Sequence, residues 1–90
     1  MANIIGSTQK QTSVANAEII PSPPQTWVNV TYSFKEFELL NDQDCTLIVD
    51  GGNEIFLRAN QGFKYFSEHK PIKSVKIKEA GITFNWIAVY

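Results

Sequence analysis

The sequence has a single cysteine, Cys45, so no internal disulfide can form and the fold must rest on burial. That usage fits a reducing compartment, or a protein assembled inside a cell. No apolar run reaches the length of a membrane span. No basic stretch followed by an apolar block opens the chain, so no leader peptide is expected and the Asn29-Val30-Thr31 sequon reads as chance. An excess of either charge is also missing. Eight Lys and Arg stand against nine Asp and Glu, a net charge of −1, which exerts no general pull toward nucleic acid or acidic membrane. No segment shows an apolar face at helical spacing, and no glycine-rich loop has phosphate-binding spacing.

Aromatic residues are absent before Trp27; the two Trp, three Tyr and six Phe all lie at or beyond it. The chain therefore divides into an N-terminal arm, residues 1–25, and a β domain, residues 26–90. The arm carries only Lys10 and Glu18 as charges, is rich in Gln, Ser, Thr and Asn, and ends in Pro21-Ser22-Pro23-Pro24. Such a stretch cannot bury enough of its own surface to order itself. The prolines favour an extended conformation that projects away from the body. Its scattered apolar residues Ile4, Ile5, Val14, Ile19 and Ile20 are then candidates for assembly contacts with a neighbour's strand edge. On this reading the arm contributes little to folding and much to assembly.

From Thr26 onward the pattern is β. Residues 27–32 alternate, as do residues 34–40 with Phe37 and Leu39 on one side and Glu36 and Glu38 on the other. Short strands follow at 45–49, 54–59 and 62–66, with turn-forming Asn41-Asp42-Gln43-Asp44, Asp50-Gly51-Gly52-Asn53 and Asn60-Gln61-Gly62 between them. The register across Asp50-Gly51 stays open between Ile48 opposite Ile55 and Leu47 opposite Ile55. The closing stretch, residues 72–90, reads as a hairpin about Ala80-Gly81, with Ile77 opposite Phe84 and Val75 opposite Trp86. Phe84, Trp86, Ala88 and Tyr90 share one face of its last strand. About seven short strands result: an all-β fold, an antiparallel sandwich or small barrel with an extended N-terminal arm.

Catalytic patterns are weak. Asp42, Asp44, Asp50 and Asn53 lack calcium-loop spacing and read as turn residues. Cys45 and His69 lack an oriented third group. No cofactor is expected. The acidic stretch from Glu36 to Glu54 and the basic stretch from Lys64 to Lys78 suit head-to-tail contacts between subunits. Ile87, Val89 and Tyr90 make the end of the chain apolar on both faces, which suits an interface. An alternative places single-stranded nucleic acid on Lys64, Lys73, Lys76 and Lys78 beside Phe63, Tyr65 and Phe66, although the net charge opposes it. Trp27 or Tyr65 would serve a sugar-stacking module.

Five stretches carry a resemblance: Leu40-Asn41-Asp42, Val49-Asp50-Gly51, Leu57-Arg58-Ala59-Asn60-Gln61-Gly62, Ile72-Lys73-Ser74-Val75, and the run from Gly81 to Tyr90. In them, residues 37–90 resemble the small β-sandwich accessory proteins of tailed-bacteriophage virions. The resemblance implies a non-enzymatic particle component: a head decoration, fibre-anchor or tail accessory protein. It also implies other virion proteins and copies of itself as partners, no membrane, and assembly into the virion in the host cytoplasm.

Overall fold

A computed structural model describes residues 4–7, 9–21 and 33–90. The strand expected at 27–32, the Asn29 sequon, Trp27 and the boundary between residues 25 and 26 lie outside the described residues. Those described contain no helix and nine strands: β1 (Ile4–Gly6), β2 (Gln11–Thr12), β3 (Ala17–Glu18), β4 (Glu36–Asn41), β5 (Cys45–Val49), β6 (Glu54–Leu57), β7 (Phe63–Phe66), β8 (Val75–Ile77) and β9 (Thr83–Val89). They form two antiparallel sheets packed face to face. One runs β1-β9-β4-β7, with β2 also on β9; the other runs β3-β8-β5-β6.

Alternation decides which residues meet between the sheets. β4 buries Phe37, Leu39 and Asn41 and exposes Glu36, Glu38 and Leu40. β9 buries Phe84, Trp86 and Ala88 beside them. Phe37 stacks on Trp86 with ring centroids 5.9 Å apart, and Phe34 lies 6.3 Å from Phe37 and 6.1 Å from Trp86. The facing sheet supplies Cys45, Leu47, Leu57, Val75 and Ile77, all buried. An aromatic sheet therefore packs on an aliphatic one, and each large side chain so buried contributes about 2 kcal/mol.

The hairpin expected over residues 72–90 does not form. β8 pairs with β3 and β5 in the aliphatic sheet, while β9 pairs with β1, β2 and β4 in the aromatic sheet. The connection at Ala80-Gly81 crosses from one sheet to the other. Two strands that face each other across a core match their apolar residues as well as two that lie side by side, so the alternation could not separate these cases. Across β5 and β6 the register is Leu47 opposite Ile55. Asp50 and Gly51 both have positive φ, 51° and 68°, in the turn that Gly52 N–H closes onto Val49 C=O at 2.9 Å.

The described residues of the arm, 4–7 and 9–21, are extended but do not project. β1 and β2 lie along β9, shifted in register by two residues across residues 7–10, and β3 lies along β8. Gly6 sits so close to β9 that a Cβ there would meet the Trp86 carbonyl oxygen at 2.6 Å. The prolines do not prevent this return, because they follow the three arm strands in sequence. The arm's polar backbone groups need partners, and β1, β2 and β3 find them on strands of the same chain and not on a neighbour's edge.

Candidate functional site

Three hydrogen-bonded knots fix the scaffold. At the first, the arm crosses between the sheets. Ser13 N–H donates to Ile82 C=O at 2.8 Å and Gly81 N–H to Ser13 C=O at 2.9 Å. Ser13 Oγ donates to Glu79 C=O at 2.7 Å and accepts from Ile82 N–H at 2.9 Å. At the second, the fully buried Asn41 donates from Nδ2 to the carbonyls of Gln43 and Arg58, both at 2.8 Å, and accepts from Gly62 N–H at 3.0 Å. At the third, the Glu79 carboxylate accepts from Thr46 N–H and Thr46 Oγ1, both at 2.8 Å. Burial pushes the Glu79 carboxyl up. The Thr46 hydrogen bonds, the residue's own backbone N–H and the Lys78 charge outweigh it, and the net shift is below the usual range.

Of the residues weighed as a thiol nucleophile or as metal ligands, Cys45 is buried and the three aspartates hold structural contacts. Cys45 is buried in the core, and burial, with Glu79 and Asp44 nearby, raises its thiol to about 11, which leaves little thiolate at neutral pH. His69 is in an exposed loop. Asp42 pairs with Lys10 at 2.8 Å. Asp44 accepts from Ala59 N–H, and Asp50 from the N–H groups of Lys73 and Ser74, each at 2.8 Å. Among the described residues no cluster of His, Cys, Asp and Glu gathers to hold a metal ion.

The four lysines of the nucleic-acid alternative are divided. Lys64 projects from β7 in the aromatic sheet, opposite Glu38, with a charge separation of 3.7 Å. Lys76 lies on β8 in the other sheet, opposite Glu18 and Ile48, and Lys73 and Lys78 flank that strand. Lys78 pairs with Glu54 at 3.2 Å. The acidic and basic stretches of the sequence therefore meet within the chain, at Glu38–Lys64 and at Glu54–Lys78. Tyr65 is half-buried against the core and donates its hydroxyl to Lys70 C=O at 2.5 Å.

The assembly candidates also separate. Ile5, Ile19 and Ile20 pack against the core, while Ile4 and Val14 are exposed. Tyr90 packs on the inner side, 6.4 Å from Phe34 by ring centroid, so it does not share a surface with Ile87 and Val89. What the fold brings together is the outer face of the aromatic sheet. One cross-strand row reads Ile4, Val89, Glu36, Phe66, and the next reads Gly6, Ile87, Glu38, Lys64. Ile4, Phe66 and Ile87 are 67%, 64% and 48% exposed. They line an open hollow of about 590 Å³ with Glu36, Glu38 and Lys64. Ile87, Val89 and Ile4 are among the interface and arm residues the sequence suggests, whereas Phe66 enters there only beside the lysines of the nucleic-acid alternative, on a strand whose alternation is legible but whose buried face is not. No family model, no curated protein and no solved structure matches this chain.

Proposed function

We propose that this chain is a non-enzymatic structural component of a bacteriophage particle. It docks on other virion proteins through the outer face of the aromatic sheet and associates with copies of itself, in the virion assembled in the host cytoplasm. The phage assignment rests on the resemblance in residues 37–90. The observation that carries the docking role is the outer apolar row of exposed Ile4, half-buried Val89 and exposed Phe66 beside exposed Ile87, crossed by Glu36 and Glu38. Apolar groups rimmed by a few charges suit a protein partner, since the charges set register and the apolar area supplies affinity. Of the arm candidates only Ile4 lines this hollow, since Ile5, Ile19 and Ile20 pack on the core and the exposed Val14 is not among its lining residues.

Co-sedimentation with phage particles that lack this chain tests the reading. The wild-type protein should pellet with the particles. A variant carrying Ile4→Ser, Phe66→Ser and Ile87→Ser should stay in the supernatant with its fold intact, because all three side chains face solvent. Wild-type protein that never pellets, or a variant that pellets equally, overturns it.

A further inference from the structure

A sandwich of two open sheets has four lateral edges, and among the described residues three of them are short or guarded. β1, β2 and β3 have two or three residues each. β7 has Lys64 within its four residues, and an edge lysine opposes pairing with another strand. β6 is different. It pairs only with β5 among the described residues, and it contains no lysine and no proline. Phe56 is 60% exposed and Ile55 is 37% exposed.

The hydrogen-bonding side of β6 follows from its neighbour. Thr46 points both backbone groups toward β8: its C=O accepts from Lys78 N–H at 2.9 Å, and its N–H donates to Glu79 at 2.8 Å. The pair Thr46–Phe56 is thus a non-hydrogen-bonded one, and Ile55 and Leu57 carry the bonds to β5. The N–H and C=O of Phe56 lie on the open side.

We infer that β6 is a self-pairing edge, on which a second copy of this chain adds antiparallel about a two-fold axis through Phe56. The stretch Glu54-Ile55-Phe56-Leu57-Arg58 reads acid, apolar, aromatic, apolar, base. Reversed against itself, it sets Phe56 opposite Phe56 of the second copy, Glu54 opposite its Arg58, and Ile55 opposite its Leu57. Side chains stay on matching faces, and opposite charges meet at both ends. Shifting the register by two residues either way puts Phe56 opposite a charge. Each Phe56 donates its N–H to the other's C=O, as expected for a hydrogen-bonded antiparallel pair. The main-chain groups of Arg58 are already taken by Gln61 and Asn41, so the ladder ends at Leu57 and Arg58 contributes through its guanidinium. The result joins two aliphatic sheets into one, an isologous contact. The inference rests on the self-association in the function proposed above, and uses a surface separate from the docking face.

Mass in solution, measured by light scattering over a concentration series, tests it. The wild-type chain should approach twice its 10.2 kDa mass. Glu54→Arg places Arg against Arg, and Arg58→Glu places Glu against Glu, so each variant alone should halve that mass. An equimolar mixture of the two restores both charge pairs and should return to twice the chain mass. Circular dichroism melts check the fold of each. Phe56→Thr, which keeps a strand-forming residue and removes the ring, should also be monomeric. A wild-type monomer at every concentration, charge variants that keep the wild-type mass, or a mixture that stays monomeric overturns the inference. The Ile4, Phe66 and Ile87 variant should keep the twofold mass, which separates failure of this edge from failure of the docking face.

Discussion

The Glu79 carboxylate is held by two donors from one residue, Thr46, and both bonds exist only when β5 and the crossing after β8 are in place. Its proton is therefore bound less tightly in the folded chain than in the unfolded one. A carboxyl lowered on folding contributes its stability above the unfolded pKa and loses it as pH falls through the folded value. Replacing Glu79 with Gln should lower the melting temperature at neutral pH. Melts taken from neutral to acid pH should show the gap from wild type closing as Glu79 is protonated. A gap that is constant with pH would show that the carboxylate's charge has no part in it. No local pattern marks Glu79, Ser13 or Asn41 as knots, because each acts on backbone groups brought to it from distant parts of the chain.

Among elements, the arm changes role most. Ile5, Ile19 and Ile20 are half-buried against the core, each contributing about 1 kcal/mol of apolar burial. Glu18 accepts from Val75 N–H at 2.7 Å, and Ser13 joins the arm to the crossing between β8 and β9. Deleting residues 1–20 should thus lower the melting temperature by about 10 °C or more, at the several degrees per kcal/mol of a domain this size. An unchanged melt would return the arm to the separate role its composition suggested. The strands of the body were legible where alternation was strong, as in Phe37 and Leu39 against Glu36 and Glu38. Their partners were less so. Val75 and Ile77 match Trp86 and Phe84 in pattern, yet face them from the other sheet, because period-two alternation fixes which face is buried and not which strand lies alongside. The run Glu54 to Arg58 was equally readable as a pattern. What made it a candidate site is its position at an edge, which only the sheet order supplies.

At the scale of the whole molecule, nearly all pairing is between distant parts of the sequence, and β9 lies between the arm and β4. Folds dominated by non-local pairing close slowly, in milliseconds to seconds. β9 also carries Phe84, Trp86 and Ala88 into the core. A fragment of residues 1–80 should therefore show no cooperative thermal transition, and a sharp melt from it would mean that β4 to β8 can stand alone. The same placement bears on how the chain is made. Until residues 83–89 have cleared the ribosome's exit tunnel, β1, β2 and one side of β4 have nothing to pair with. Translation delivers a polypeptide that must wait, with its apolar β6 run accessible to other nascent copies on the same message. The polar, proline-marked residues 1–25 emerge ahead of the β body, and they are less prone to aggregate than the apolar strands still being synthesised behind them.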